Sequence, residues 1–352
     1  MTKTSRPLVI NGTTITPGSR LTIDVPIGRL YTHTPMSMPV HVIHGKSEGP
    51  RLFVCAAIHG DEINGVEIIR RVIKMSVLRR LKGTLLAVPI VNVHGLLSHS
   101  RYLPDRRDLN RSFPGSDKGS LAARQAYLFM REIVSNSTHG IDIHTGAQHR
   151  NNLPQIRANI DDPDTGRLAH AFGAPVIISA TLRDGSLREA AAERGIPTLL
   201  YEAGEALRFD EVAIRGGVRG ILNVMRELGM LPAASKHHKT VLEPVVAKSS
   251  FWVRAENSGI LRPVIQLGAR IKKDELLGII SDPFGERETQ VLAPYSGIII
   301  GRTNLPLVNE GDALFHIARF KEISEAVAKV EEFQESHASL IDEQPGPDGP
   351  IF

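Results

Sequence analysis

The sequence is most informative first for what it has little of. One cysteine, Cys55, occurs among 352 residues, so no intramolecular disulfide can form. It lies in the apolar run RLFVCAAI and reads as a small buried hydrophobe. Aromatic residues make up only 5% of the chain, with one tryptophan. That argues against a stacking platform for single-stranded nucleic acid. No stretch approaches the roughly 18 consecutive apolar residues of a membrane-spanning helix. The opening MTKTSRPLVINGTTI lacks the apolar core of a secretory signal, so a cytoplasmic location is the expectation. Charge imbalance is also small, at +4 with a pI near 9.2. Basic residues are spread out except in RYLPDRRDLNR (101–111), and no nucleic-acid motif accompanies them. That cluster is either a solvated loop or a site for a small anion.

The residues present have the balance of a globular protein, 41% hydrophobic and 23% charged. Residues 1–45 alternate short apolar and polar runs between Gly and Pro breaks, an N-terminal β segment. From 46 to 232, apolar strands alternate with helical patterns. RLFVCAAI, GTLLAVPIVN, HGIDIHTG, APVIISA and PTLLYEAG are the strands. EINGVEIIRRVIKMSVLRRL, SLAARQAYLFMREIVSN, TGRLAHAFG, SLREAAAERG and VAIRGGVRGILNVMRELGM are the helices. This alternation predicts an α/β domain with a central, mostly parallel or mixed sheet. In such sheets, sites gather at the carboxyl ends of the strands. LPAASKHHKTVLEP reads as a linker. Turn glycines and short apolar runs over 245–320 predict a small all-β domain. Residues 321–352 read as a surface helix over KEISEAVAKVEEFQES and a flexible tail.

The chemistry starts at His59 and Glu62, in AAIHGDEINGVEIIRR. A strand exit and a helix start hold two side chains three residues apart toward one point. Imidazole and carboxylate are both good zinc ligands. The competing reading is that Asp61 or Glu62 only caps the helix. His144 closes another strand and supplies a third ligand. Asp142, two residues earlier on the same face, could orient it. Two histidines and one glutamate leave a fourth position free, as in a catalytic rather than a structural zinc site. In DLNRSFPG, Arg111 offers a guanidinium fork for a carboxylate, with Asn110 beside it. Glu202, ending an apolar strand, is placed to act as a general base, with Glu205 a weaker candidate.

HGDE (59–62), DLNRSFPG (108–115), DIHTG (142–146) and YEAGE (201–205), in this order, resemble the succinylglutamate desuccinylase/aspartoacylase family, relatives of the zinc carboxypeptidases. The similarity spans roughly residues 45–230. The resemblance implies one zinc per chain on His59, Glu62 and His144, and Glu202 as the catalytic glutamate. It implies that Asn110 and Arg111 clamp the substrate α-carboxylate and that Arg101 polarises the scissile carbonyl. Arg188 would reach the substrate, with Arg183 as competitor, and Arg157 is a further candidate from its local context. The expected activity is hydrolysis of a small anionic N-acyl amino acid, with a lean toward the diaminobutyrate deacetylase branch. The alternatives are a zinc carboxypeptidase acting on peptide C-termini and a non-catalytic metal-binding protein. No nucleic-acid or membrane partner is expected, and homo-oligomerisation is left open. The glycine spacing of the C-terminal β region also resembles a lipoyl or biotinyl carrier. Its hairpin tip FGERET lacks the lysine a carrier needs, which predicts a structural role.

Overall fold

The computed structural model describes residues 3–180, 183–233 and 242–338. Its centre is one large mixed sheet. Four neighbouring strands are parallel: Lys82–Val88, Ser47–Ala56, His139–Gly146 and Thr198–Glu205. Beyond Lys82–Val88 the sheet continues through antiparallel Pro35–His44 and Arg20–Arg29. Beyond Thr198–Glu205 it continues through Arg150–Ala158, Gly297–Thr303, Ala313–Arg319 and Ser249–Arg254.

The four parallel strands are nearly all apolar because both of their faces are covered. On one face Val54, Ile141, Ile143, Leu199 and Tyr201 pack on helices Asn64–Val72, Pro163–Phe172 and Glu211–Glu227. On the other, Phe53, Cys55, Leu86 and Val88 pack on helices Leu121–Glu132 and Leu187–Ala192. Each fully buried side chain of this size contributes about 1.5–3 kcal/mol, so the strand order is fixed by two cores at once.

Three features differ from the sequence expectations. The helix expected over 62–81 runs only from Asn64 to Val72, followed by a 3-10 turn at Ser76–Arg80. The strand Arg150–Ala158 has no counterpart among the expected elements, because Pro154 argues against a central strand. The proline is tolerated where the strand changes partners: Asn152 pairs with Gly301, but Gln155 pairs with Val176 on the strand Val176–Ser179. The final helix, Ile323–Ala338, lies on the surface as its charge implies, and docks through one stripe that buries Ala326, Val330 and Phe333. Lastly, the region from Val245 to Arg319 is all β, yet five of its strands, Val245–Ala247, Ser249–Arg254, Arg270–Ile271, Gly297–Thr303 and Ala313–Arg319, belong to the central sheet. Its other strands, Glu288–Leu292, Leu276–Ser281, Gly259–Pro263 and Leu307–Val308, form a second sheet over a separate small core. Much of the expected linker and the expected flexible tail lie outside the described residues.

Candidate active site

The expected site residues gather at the carboxyl ends of the parallel strands. His59 and Glu62 lie in the turn between Ala56, where the strand ends, and helix Asn64–Val72. Glu62 precedes the N-cap residue Ile63, and no side chain caps this helix. The capping alternative therefore fails for both Asp61 and Glu62. Gly60 is glycine for a steric reason, since an added Cβ would collide with the backbone at Gly95. The close approach of that segment holds the turn in place.

His59, Glu62 and His144 are all buried, and one ligand atom from each lies within 4.8 Å of the others. Nδ1 of His59 is 2.8 Å from Glu62 Oε1, and Nδ1 of His144 is 2.8 Å from Glu62 Oε2. The two Nδ1 atoms face each other at 3.1 Å. Each ring is held from behind by a carboxylate. His59 Nε2 is 3.1 Å from Asp108 Oδ1, and His144 Nε2 is 2.9 Å from Asp142 Oδ2. With the outer nitrogens donating, both inner nitrogens present lone pairs to one point. The Thr145 backbone N–H donates to Glu62 Oε2 at 3.0 Å and fixes the carboxylate.

The electrostatics of this pocket favour positive charge at its centre. Burial opposes charging His144, but Asp142 and Glu62 outweigh it and raise its pKa well above the imidazole range. Burial likewise opposes charge on Glu62, and the two histidines still hold its carboxyl below the usual range. Two neutral imidazoles and a carboxylate suit a divalent cation of borderline softness. The residues present therefore fit zinc.

Asp142 is itself supported by Cys55, whose thiol donates to Asp142 Oδ1 at 3.4 Å. Burial, then the Asp142 charge, pushes that thiol well up. Cys55 is thus more than an apolar filler. Asp108, in the DLNRSFPG stretch, is a second outer carboxylate. It also accepts from Arg101 Nη2 at 2.9 Å, while Arg101 Nη1 reaches Glu62 Oε1 at 3.3 Å. Arg101 is therefore beside the centre despite its sequence distance from DLNR.

Glu202 is the register partner of His144 on the adjacent strand. Its Oε2 accepts from Asn152 Nδ2 at 3.0 Å and lies 3.1 Å from Arg157 Nε. Nothing in the sequence marks Asn152, because Pro154 disguises the strand that carries it. Glu205 accepts from the His149 backbone N–H and from Asn304 Nδ2, so it ties loops together. The Asn110 side-chain oxygen accepts from Leu187 N at 2.9 Å, and Arg111 donates to the Asn110 carbonyl from an exposed position. Arg188 is 6% exposed and donates to the Arg157 carbonyl at 3.3 Å. Its pKa is lowered by burial, despite attraction from Asp142 and Glu202. Partial burial and repulsion from Arg157 and Arg111 lower that of Arg183. The arginines 101, 111, 157, 183 and 188 thus surround one side of the site.

Residues 48–228 match the model of the succinylglutamate desuccinylase/aspartoacylase catalytic domain. The chain belongs to this family of deacylating hydrolases. It is 27% identical over 299 residues to the N-alpha-acetyl-L-2,4-diaminobutyric acid deacetylase of Halomonas elongata, covering 81% of this chain and 86% of that one. Its fold is similar to the succinylglutamate desuccinylase/aspartoacylase of Rhodobacter sphaeroides, with a TM-score of 0.74, 24% identity and coverage of 86% and 95%. It is similar also to the product-bound ectoine utilization protein EutE (DoeB) of Ruegeria pomeroyi, with a TM-score of 0.78, 23% identity and coverage of 89% and 98%. Among the described residues no helix is long and apolar enough to cross a membrane.

Proposed function

We propose that the chain is a zinc-dependent deacylase of a small N-acyl amino acid, with an N-acetylated diaminobutyrate the first substrate to try. The observation that carries this reading is the pair of inward-facing imidazole nitrogens around Glu62, each ring backed by a carboxylate. The deacetylase relative from Halomonas elongata supports the choice of substrate.

His59 Nδ1, His144 Nδ1 and the Glu62 carboxylate would hold the zinc. When bound, zinc supplies Lewis acidity that polarises a carbonyl and brings the pKa of a water toward about 7. Glu202 takes a proton from the attacking water and returns it to the amine nitrogen as the C–N bond breaks. Arg101, fixed by Asp108, stabilises the charge that develops on the carbonyl oxygen. Arg111, with Asn110, receives the α-carboxylate. Arg188, Arg157 and Arg183 face the rest of the substrate. The products are a carboxylate and a free amino acid. We read the chain as an N-terminal β segment, a hydrolase region and C-terminal strands that complete the wall of its site.

The test is amine release from a panel of N-acetyl-diaminobutyrate, N-acetyl-aspartate and N-succinyl-glutamate. Each is assayed with a chelator and again after zinc is restored. Chelator-sensitive, zinc-restored release from one member is the expected result. Glu202→Gln should lower kcat by at least about 100-fold while zinc remains bound. A fully active Glu202→Gln protein would overturn the assignment of the base. Activity on peptide C-termini alone would transfer the site to a carboxypeptidase.

A further inference from the structure

Four residues form a single lateral row across the sheet. Asn152 is the register partner of Gly301, Gly301 of His316, and His316 of Trp252. They come from four adjacent strands, three of them in the C-terminal region. The Trp252 and His316 rings stack at 4.6 Å with an interplanar angle of 9°. Between them and Asn152 stands the one position without a side chain. A Cβ added to Gly301 would lie 2.9 Å from Asn152 Oδ1, 3.2 Å from the His316 Cβ and 3.5 Å from the Trp252 ring. The row faces the active site: Asn152 reaches Glu202, and Arg157 and Arg183 help to depress the pKa of the buried His316.

We infer that the C-terminal strands position the general base, with Gly301 seating the Asn152 amide against the stacked Trp252–His316 pair so that its Nδ2 holds the Glu202 carboxylate. Asn152 and Gly301 are positioning residues. Neither is placed at the reacting atoms, and each acts through the orientation of Glu202. A carboxylate swung away from the attacking water loses rate without losing substrate affinity. The register gives Asn152 one backbone neighbour on each side, Gly204 and Gly301. Of the two, only Gly301 borders the amide, since a Cβ added at Gly204 would meet Asn64 and Asp210 instead. This inference rests on Glu202 being the base, as proposed above.

The experiment uses the full-length zinc-loaded protein and the variants Asn152→Ala, Gly301→Ala and their combination. Steady-state kinetics are read on the substrate found in the panel. The side-chain amide resonances of Asn152 are read by NMR in the wild type, Gly301→Ala and Glu202→Ala. Asn152→Ala should lower kcat about tenfold with KM within about twofold and zinc content unchanged. Gly301→Ala should lower kcat in the same way, and the double variant should be no slower than Asn152→Ala, because the atom that the new methyl displaces is gone. The amide resonances should shift in both Glu202→Ala and Gly301→Ala. Multiplying losses in the double variant, or amide resonances that ignore Glu202→Ala, would overturn the relay. If the resonances respond but Glu202→Gln remains active, the relay stands and the assignment of the base falls. A Gly301→Ala protein that fails to fold leaves the question to Asn152→Ala and Glu202→Ala, which decide it by themselves.

Discussion

At the scale of single residues, the outer carboxylates would matter as much as the proposed zinc ligands they orient. Asp142 accepts from His144 Nε2 and itself takes the Cys55 thiol. An asparagine there could still accept a hydrogen bond but would lose the charge that raises the basicity of the ring. Asp142→Asn should therefore weaken zinc binding by about 10–100-fold, measured by competition with a chromophoric chelator. Asp108→Asn should act on His59 in the same direction. Unchanged affinity in both would mean that the ring orientations are set by packing alone. Much at this scale was legible in the sequence. His59, Glu62, His144 and Asp142 were visible because each sits beside an apolar run that marks a strand end. Asp108 and Asn152 were not, since their partners lie 49 and 50 residues away and no local pattern announces them.

At the scale of elements, legibility followed periodicity. The strands HGIDIHTG and PTLLYEAG match His139–Gly146 and Thr198–Glu205 almost to the residue. Both are apolar runs closed by glycine. The strand Arg150–Ala158 was hidden by Pro154, and its loss hid the residues that hold Glu202. The last helix is legible as a surface helix, but its docking partners are not. KEISEAVAKVEEFQES is rich in charge, and its short apolar stripe resembles that of a surface helix. In the structure, Phe333 packs on Gly216, where an added Cβ would meet the aromatic ring, and Tyr201 packs beside the same glycine. Phe333→Ala should cost about 3 kcal/mol, seen as a lower urea midpoint. A loss below about 0.5 kcal/mol would show the helix to be loosely held.

At the scale of the whole molecule, charge and burial together set how stability depends on pH. His316 is 3% exposed, and its Nδ1 has no hydrogen-bond partner. Burial, then the Arg157 and Arg183 charges, hold its pKa down to about 3. In the unfolded chain this ring takes up a proton below about pH 6.5, whereas in the fold it does not until near pH 3. Its contribution is therefore intact above pH 6.5 and is lost as pH falls through that window, by up to about 1.4 kcal/mol per unit. His316→Phe keeps a ring against Trp252 and removes the titration. Its stability should be flatter than that of the wild type between pH 6.5 and pH 4 in denaturant titrations. Parallel curves would place the acid sensitivity elsewhere.

The continuity of the sheet bears on how this protein can be cut. Arg150–Asn152 pair with Arg302, Thr303 and Gly301 through main-chain bonds. A chain ended at residue 244 would leave that ladder bare, together with the apolar faces of Leu153 and Val176, which the later strands cover. Unpaired strand edges of this kind recruit other edges. Such a fragment should sediment as aggregate even though it retains every proposed zinc ligand and Glu202. The boundary at which the residue pattern changes is thus a poor place for scissors, because the later strands are what close this edge.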